Sequence, residues 1–529
     1  MNESRFDQSK PIQTPLHGYS SSHGSVEVLK DARLHFMGIG GQGISAVAQM
    51  ALQEGARISG CDQSASATTN MLVQKGVPVE IGHTPKHLAN ADALIYVPAI
   101  VAFNPDNPEL VAAKTSGMPV MTWQELMGKW MQGKLVLSVS GVHGKGTTTA
   151  MLALMLVEAG LDPTCEIGAI VPGLGANYRI GKSQYFVNEA DEFNNNFWNY
   201  HPRLVIVTSI EFEHPEFFAD YATFLKSFEH FIRGMDMQSE WPFPPTLIMN
   251  ADSPGCLELR ERLNDWTGRI LMYAIDGLSN TEMPKVGSIP AGTHRLSDYT
   301  AYDVELEGRT SFRVRSHKDE GNGFAADKVI HLRLPGVHNI QNALAALTAA
   351  RCTGINDGVI IHTLENFSGI ERRFEIRYEG QLEITGATYD VILIDDYAHH
   401  PTAITATLEA ARRRFPGRRL IAVYQPHMYS RTKTFFEQFL TAFDSADVVI
   451  IADIFPGREH DTGSIHAREL VEAIGKRPPF SSSEKRVMYG GNVENTAVLL
   501  RDTLRSGDVA IVMGAGDIYA VSEKLLQRT

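Results

Sequence analysis

Apolar runs separated by glycine turns and amphipathic stretches recur along most of the chain. The first run, at 33–38, is followed by a glycine-rich turn, a stretch that predicts a helix, and a second apolar run at 56–62. Shorter runs at 93–99 and 118–121 predict further strands. This alternation is typical of parallel strands joined by helices, and it predicts a compact α/β domain over 33–133.

A second domain is predicted from 134 to 371. An apolar strand at 134–141 leads through a glycine loop into a helix, and apolar strands at 185–190 and 204–210 each end at polar residues. The segment from about 284 to 333 alternates polar and apolar positions around a polar turn, which predicts an antiparallel addition to the parallel sheet.

The strand and helix alternation resumes in the last third of the chain. Apolar strands at 389–398, 419–426 and 508–518, with helical stretches between them, are typical of a doubly wound sheet over 372–529. The predicted fold is therefore α/β with three domains: Rossmann-like, P-loop-type with an antiparallel addition, and again Rossmann-like. Residues 1–32 are polar and predict a flexible tail.

Composition narrows the classes of function. The chain has 529 residues, 43% of them hydrophobic, and a formal net charge of -13, which argues against a nucleic-acid or membrane-surface binder. No apolar run approaches the roughly 18 residues of a membrane helix. The four cysteines are far apart and form no CxxC pair, so neither a disulfide scaffold nor a zinc knuckle is indicated, and a reducing cytoplasm is expected.

The first glycine loop follows the first predicted strand. Gly38, Gly40 and Gly43 fit G-x-G-x-x-G, and Asp62 ends the next strand. Glycines let a backbone approach a diphosphate at a helix N-terminus, so NAD and a UDP-sugar are both candidate ligands. A tight turn that binds no ligand remains the alternative.

The second glycine loop reads GVHGKGTTT at 141–149. Lys145 is expected to reach terminal phosphates, the amides of 143–148 to cradle them, and the threonine hydroxyls to stand at the helix start. The spacing is shorter than in the Walker pattern. Gly146 also stands where that pattern has the hydroxyl that binds magnesium.

Acidic residues follow two of the predicted strands of the central domain. They lie at 189–192 in NEADE and at 211–214 in IEFEH. A single acid would more often cap a helix or face solvent. Because the carboxyl ends of parallel strands meet at one edge of a sheet, two such clusters favour a magnesium site.

Taken together, these segments resemble the Mur ligase family, the ATP-dependent amide-forming enzymes of peptidoglycan synthesis. The resemblance extends from Leu34 to the C-terminus. It rests on HFMGIGGQGIS (35–45), GVHGKGTTT (141–149), NEADE (188–192), IEFEH (210–214), LPGVHNIQNALAA (334–346), ERRFE (371–375), DDYAHHPT (395–402), YQPHMYSRT (424–432), DIFPGREHDTG (453–463) and MGAGDI (513–518).

The resemblance implies a reaction. ATP, with Mg²⁺, would phosphorylate the lactyl carboxylate of UDP-N-acetylmuramate, and the amino group of L-alanine would attack the acyl phosphate. The expected partners are therefore small-molecule substrates in the cytoplasm, with no nucleic acid or membrane. Two alternatives stay open within the family: a recycling ligase that adds a tripeptide, and a non-catalytic relative. An NAD-dependent dehydrogenase is the competing class, although it leaves the second loop unexplained.

The resemblance also implies site residues. The catalytic residues would be Lys145, Glu189, His214 and Arg373. ATP would contact Gly141, His143, Gly144, Lys145, Gly146, Thr147, Thr148, His338, Asn339, Asn342, Arg373 and Asp396. The UDP-sugar would contact Gly38, Gly40, Gly41, Gly43 and Asp62. The amino acid would contact His427 and Arg431. The metal would be held by Thr147, Glu189 and His214.

Three positions depart from the family pattern. The family loop usually reads GTHGKTTTT, so Val142 and Gly146 both replace threonines, and only the change at Gly146 is expected to matter chemically. We expect Thr147 or a water to supply the missing oxygen. Met428 stands where an arginine is usual in the amino-acid segment. The paired His399 and His400 precede a predicted helix and are expected to orient or pack rather than to bind metal.

Overall fold

The structure is a computed structural model. It describes residues 29–98, 100, 104–277, 297–317, 324, 328–384, 386–457, 459–461, 463–481 and 485–527. Most of the predicted flexible tail (1–28) and most of the predicted polar turn (318–323) lie outside the described residues. The chain forms two compact units, one ending at Gly133 and the other beginning at Lys134.

The first unit contains a parallel sheet in the order β3-β2-β1-β4-β5. Its strands are β1 (Arg33–Met37), β2 (Arg57–Asp62), β3 (Val79–Ile81), β4 (Ala93–Tyr96) and β5 (Val120–Thr122). Its helices are α1 (Gln42–Gln53), α2 (Ala67–Gln74), α3 (Pro108–Thr115) and α4 (Trp123–Trp130), with a 3-10 turn at Pro85–Leu88. Local capping sets helix starts: Thr122 and Glu125 form a capping box for α4, and Asn107 followed by proline begins α3.

The second unit begins with a sheet in the order β15-β14-β13-β12-β11-β10-β6-β9-β7-β8. Its strands are β6 (Leu135–Ser140), β7 (Thr164–Val171), β8 (Ala176–Arg179), β9 (Tyr185–Glu189), β10 (Leu204–Val207), β11 (Thr246–Asn250), β12 (Arg269–Ile275), β13 (Tyr299–Glu305), β14 (Ser311–Ser316) and β15 (Ile330–His331). Strands β7, β9, β6, β10, β11, β12 and β13 pair in parallel. Strand β8 pairs antiparallel with β7 at one edge, and β14 and β15 are antiparallel at the other, so the predicted antiparallel addition is present.

Helices cover this sheet and close its core. They are α5 (Lys145–Glu158), α6 (Tyr221–Arg233), α7 (Pro254–Arg262), α8 (Val337–Cys352) and α9 (Asp357–Asn366). The apolar residues of α5 and α8 pack with β6, β9 and β10 in one buried cluster. The two helices are apolar almost all round because each is buried between the sheet and its neighbours.

A second sheet follows in the order β16-β17-β21-β18-β19-β20. Its strands are β16 (Glu375–Ile384), β17 (Ala387–Asp396), β18 (Leu420–Tyr424), β19 (Val448–Ala452), β20 (Arg486–Gly491) and β21 (Asp508–Met513). Its helices are α10 (Pro401–Arg414), α11 (Tyr429–Thr434), α12 (Phe436–Ala442), α13 (Ala467–Gly475), α14 (Val493–Thr503) and α15 (Ala520–Leu526). Separate apolar cores lie on its two faces, as in a doubly wound sheet.

This topology determines where chemistry can occur. Strands β9, β6, β10 and β11 are consecutive and parallel, so the segments that follow them emerge at one edge of the sheet. The predicted α/β class with these sheet types is confirmed. In the parts of the chain that the structure describes, no helix is long and apolar enough to cross a membrane.

Candidate active site

The glycine loop after β6 needs glycine at two positions for steric reasons. Gly141 and Gly144 have φ of +118° and +80°. A Cβ at 141 would collide with Thr208, and one at 144 would overlap the Asn342 amide. The loop is also tied to the end of β10, because the amides of residues 142 and 143 donate to Ser209. The amide of His143, expected to cradle phosphate, is therefore already bonded in this structure.

Lys145 begins α5 and turns toward the acidic end of β9. Its Nζ donates to Gly141 O at 2.7 Å and to the two carboxylate oxygens of Glu192 at 3.0 and 2.9 Å, and Asp191 lies at 3.9 Å. Burial lowers the pKa of Lys145, but the negative charges of Glu192 and Asp191 outweigh it, so the pKa lies above its ordinary value. The lysine is a charged group held at the base of the loop.

Glu189 lies between two glycines. Its Oε1 accepts a hydrogen bond from the Gly168 amide at 2.6 Å, and a Cβ at position 146 would lie only 2.9 Å from the same oxygen. Burial raises the pKa of Glu189. The absence of a side chain at Gly146 is thus what lets this carboxylate approach the start of α5.

Negative charge accumulates at this edge of the sheet. Burial raises the pKa of Glu192, and burial together with Glu189 and Asp191 raises the pKa of the neighbouring Glu166 far above its usual value. Raised pKa values mean that these carboxylates lack sufficient positive charge around them. A divalent cation bound to their oxygens would supply it, so the donor set fits Mg²⁺.

His214 follows β10 and faces the same acids. Its Nδ1 hydrogen-bonds Glu216 at 3.0 Å, and its Nε2 points toward Glu192 Oε1 at 3.9 Å. The backbone of His214 has φ +57°, an uncommon conformation for a residue with a side chain. A histidine oriented by a carboxylate on one nitrogen while the other faces acidic groups is a common metal-binding arrangement.

The structure groups the predicted metal residues differently from the sequence prediction. Ligand atoms of Asp191, Glu192 and His214 lie within 4.8 Å of one another, so Asp191 and Glu192 join His214 in the compact group. Glu189 is set beside Gly146 and Gly168. Thr147 lines the adjoining cavity.

A cavity of about 1050 Å³, including the part open to solvent, adjoins the loop. Its wall includes most residues predicted to bind ATP: His143, Gly144, Gly146, Thr147, His338, Asn339, Asn342, Arg373 and Asp396. Gly141, Lys145 and Thr148 are not in the wall. Lys145 turns to Glu192, and the Thr148 hydroxyl donates to Asn342 Oδ1 at 3.3 Å.

The start of α8 forms one side of this cavity. Asn339 Nδ2 donates to Pro335 O at 2.8 Å, and Asn342 Nδ2 donates to Asn339 Oδ1 at 3.3 Å, so the two amides are held in fixed orientations. Burial, reinforced by His143 and Arg373, lowers the pKa of His338 to about 4. His338 is therefore neutral at pH 7 and can both donate and accept.

The segment before β16 and the end of β17 form the opposite side. Asp396 accepts hydrogen bonds from the Phe374 amide at 2.8 Å and the Ala398 amide at 2.7 Å. The guanidinium of Arg373 lies 5.0 Å from the ring centre of Tyr397. Arg372 and Phe374 have φ of +56° and +50°, so two uncommon backbone conformations direct the arginine between them.

Sequence reasoning missed several residues of the cavity wall. They are Thr208, Ser209, Asn250, Asp252, Ser253, Gln341, Phe374, Thr402, Ala403, Ala406 and Thr407. A signal existed for the segment 250–253, since it directly follows β11, the next parallel strand at the same edge. The residues of α10 gave no comparable signal because only tertiary packing brings them to the cavity.

Glu211 connects the loop to α10. It accepts a hydrogen bond from Thr402 Oγ1 at 3.0 Å and contacts His143 Nε2, while His400 Nδ1 lies at 3.6 Å. Burial raises the pKa of Glu211, but His143 and the other partners outweigh it and hold the pKa below its ordinary value. His400 also caps α10 by accepting from the Thr402 amide at 3.3 Å.

The predicted amino-acid residues are adjacent, but Arg431 is engaged by a carboxylate of the protein. Arg431 Nη2 lies 2.6 Å from Glu213 Oε1, and both side chains are buried. Arg431 Nη1 and His427 Nδ1 are 3.1 Å apart, and the His427 ring stacks on Phe455 at 5.6 Å. Met428 between them has φ +69°.

The first unit contains the other predicted glycine site. Gly38 has φ +83°, and the Gly40 amide donates to Asp62 Oδ2 at 2.8 Å. A Cβ at Gly43 would lie 2.8 Å from the Trp123 ring, so glycine there allows close packing of α1 and α4. Gly41 is the N-cap of α1. The loop and Asp62 thus form one hydrogen-bonded unit at the start of the helix.

Comparison with known families matches three consecutive models. Residues 33–135 match the Mur ligase family catalytic domain, 139–350 the Mur ligase middle domain, and 372–516 the Mur ligase glutamate ligase domain.

Individual relatives match over nearly the whole length. A UDP-N-acetylmuramate--L-alanine ligase of Persephonella marina is 34% identical, covering 94% of this chain and 97% of its own, and one of Lachnospira eligens is 37% identical, covering 93% and 98%. The crystal structure of a UDP-N-acetylmuramate-alanine ligase from Thermotoga maritima superposes with a TM-score of 0.73 at 24% identity, covering 94% and 98%. The chain therefore belongs to the Mur ligase family.

Proposed function

We propose that the chain is an ATP-dependent, ADP-forming ligase that joins L-alanine to the lactyl carboxylate of UDP-N-acetylmuramate. The relatives named above carry this activity in their names. The observation in this chain that carries the proposal is that Lys145 meets the carboxylates after β9, which lie beside His214, while Gly144 and Gly146 of the same loop line a cavity. The reaction of a dehydrogenase does not require that arrangement of side chains.

The reaction proceeds in two displacements. An oxygen of the lactyl carboxylate attacks the γ-phosphorus of ATP, the bond to the bridging oxygen breaks, and ADP leaves. The amino nitrogen of alanine then attacks the carbonyl carbon of the acyl phosphate, phosphate leaves, and the nitrogen loses a proton. Each displacement builds negative charge on phosphate oxygens, so the protein contributes positioning and charge neutralisation.

The residues of the second unit have distinct parts in this scheme. Lys145 would leave Glu192 to contact the transferring phosphoryl group. His338, Asn339 and Asn342 would bind the nucleoside with fixed amide and imidazole groups, and Arg373 with Asp396 would complete the site from the other side. Glu189, Thr147 and His214, the last together with the neighbouring Asp191 and Glu192, would hold Mg²⁺, which when bound neutralises phosphate charge.

The remaining assignments concern the two other substrates. The loop at 38–43 with Asp62 would bind the UDP diphosphate, because a strand is followed there by glycines at a helix start. His427 and Arg431 would receive the amino acid, with Arg431 shared between its carboxylate and Glu213. Because ATP and UDP-sugars are cytoplasmic metabolites, we propose that the protein works in the cytoplasm.

The test is ADP release from ATP and UDP-N-acetylmuramate with L-alanine, L-serine, glycine or the murein tripeptide as acceptor. We expect turnover with L-alanine and loss of turnover in Lys145→Met, with UDP-sugar affinity unchanged. Turnover with the tripeptide alone would make the protein a recycling ligase. The absence of ADP release with every acceptor at any magnesium concentration would make it a non-catalytic relative.

A further inference from the structure

Five side chains capable of binding metal meet on one face of the sheet in the first unit. They are His35 on β1, Cys61 on β2, His83 after β3, His87 in the 3-10 turn and Glu109 on α3. Their side chains range from fully buried to about one-tenth exposed, and Glu109 has no exposed surface. None of these residues has a part in the proposed ligase reaction.

Glu109 lies at the centre of the group. Its Oε1 is 2.5 Å from His87 Nδ1 and 3.4 Å from His35 Nε2, and its Oε2 is 3.0 Å from Cys61 Sγ and 3.1 Å from His83 Nδ1. The ligand atoms of His35, Cys61, His87 and Glu109 all lie within 4.8 Å of one another. Four ligands around Zn²⁺, at about 2.0–2.3 Å each, would be roughly 3.3–3.8 Å apart.

His35 supplies a second, independent indication. Its Nδ1 is hydrogen-bonded to Ser59 Oγ at 2.9 Å, whereas its Nε2 is fully buried, points toward Glu109 and makes no hydrogen bond. A buried polar atom without a partner destabilises the folded protein. A metal bond at Nε2 would remove that cost, with Ser59 fixing the ring as metal-bound histidines are usually fixed.

The charges of the group also suit a dication. Three histidine nitrogens and one thiol lie within 3.4 Å of the Glu109 carboxylate, and no second carboxylate belongs to the group. One carboxylate and one thiolate would neutralise a divalent ion.

We propose that His35, Cys61, His87 and Glu109 bind one transition-metal dication of the zinc class per chain. His83 acts as a positioning residue, since its Nδ1 lies 3.3 Å from Cys61 Sγ and 3.1 Å from Glu109 Oε2. Mixed nitrogen, sulfur and oxygen ligands select Zn²⁺ or Co²⁺ over Mg²⁺, which prefers oxygen alone. On binding, the Sγ–H bond breaks, the metal–sulfur bond forms, and the proton passes to solvent.

The test uses the full-length protein, freed of metal with a chelator and titrated with Co²⁺ as a spectroscopic probe. A thiolate ligand gives a sulfur-to-cobalt charge-transfer band, which the cysteine-free acidic group at Asp191, Glu192 and His214 cannot produce. We expect the band to saturate at one equivalent, to survive excess Mg²⁺, and to disappear when Zn²⁺ is added.

Variants test whether the charge-transfer band arises from the proposed ligands. Cys61→Ser is expected to abolish it, and Cys352→Ser, which changes a cysteine of the second unit, is expected to leave it intact. His87→Asn, at a partly exposed position that tolerates a polar side chain, is expected to keep the fold and weaken Co²⁺ binding about 10–100-fold. The absence of a band in the unsubstituted protein, its persistence in Cys61→Ser, or unchanged affinity in His87→Asn would overturn the proposal.

Discussion

Adding a side chain at position 146 should damage the enzyme, even when that side chain restores the hydroxyl of the family loop. A Cβ at 146 would lie 2.9 Å from Glu189 Oε1 and 3.1 Å from Ile370 Cδ1, whereas ordinary contacts begin near 3.4 Å. Glu189 would have to retreat by about half an ångström.

The magnitude follows from the bond that the retreat weakens. Glu189 Oε1 accepts from the Gly168 amide at 2.6 Å, a hydrogen bond to a carboxylate worth about 1.5–3 kcal/mol. If Mg²⁺ binds only when Glu189 occupies that position, this energy corresponds to roughly a 10- to 150-fold loss in turnover. Gly146→Ala and Gly146→Thr should show similar losses, since the Cβ is common to both.

The assay is ADP release as a function of Mg²⁺ concentration, together with Mg²⁺ binding by calorimetry in the presence of a non-hydrolysable ATP analogue. Gly358→Ala on α9 is the matched control, because it adds the same methyl group to a helix with only the end of the Asn356 side chain within 3.4 Å. Gly146→Thr with turnover equal to or above that of the unsubstituted protein would refute the steric reasoning. It would show that turnover is limited by the missing hydroxyl and not by the space available for a side chain at position 146.

Three further changes test other parts of the structure. Arg431→Met alone or Glu213→Gln alone should destabilise the second unit by about 3–5 kcal/mol in chemical unfolding, because each leaves a buried charge unpaired. The double variant should recover most of that loss. A double variant no more stable than either single variant would contradict this reasoning. Burial raises the pKa of Asp252 to about 7, so the folded protein holds an extra proton between about pH 4 and pH 7 and loses stability as the pH rises through that range. The free energy of unfolding of Asp252→Asn should therefore exceed that of the unsubstituted protein by up to about 4 kcal/mol at pH 8 and by little at pH 4. An equal gain at both pH values would contradict this reasoning. Gly144→Ala should lose ATP affinity. Adding Asn342→Ala should restore that affinity only in part, because the left-handed backbone still costs about 1–2 kcal/mol and the proposed contact of Asn342 with the nucleoside is lost. Full restoration would mean that the amide overlap alone matters.

The sequence predicted those parts of the site that follow from the ends of parallel strands. The pattern of strands and loops singled out the segments that contain Lys145, Glu189 and His214, and the family resemblance assigned these residues their roles. The structure places the strands β6, β9 and β10 side by side. Asp252 was missed although it follows the next strand in the same sheet. Thr402 could not be found in this way, because it belongs to a helix of the other sheet and reaches the cavity through its contact with Glu211.

Long-range pairing explains the other differences. Arg431 was predicted to bind a carboxylate of the substrate, and the structure supplies the carboxylate of Glu213, which lies far away in sequence. The sequence did not indicate a metal site at Cys61, because no second cysteine lies nearby. The other side chains of the proposed metal group come from other segments of the chain, which folding brings to Cys61. Motifs based on sequence spacing detect metal ligands that lie on one loop or helix. They do not detect ligands that lie far apart in sequence and meet only when a sheet forms.

The anomaly at Gly146 and the acidic edge of the sheet can be understood as one adaptation. The family loop usually has a threonine at this position, whose hydroxyl is expected to serve the metal. Here the hydroxyl is missing and Glu189 Oε1 lies within 2.9 Å of the position that the Cβ would occupy. Burial raises the pKa values of Glu189 and Glu192, so the free protein carries a cost that a cation relieves. If Glu189 binds Mg²⁺ as proposed, the space at Gly146 would let this charged oxygen replace the neutral hydroxyl as a ligand, which should favour the dication more strongly.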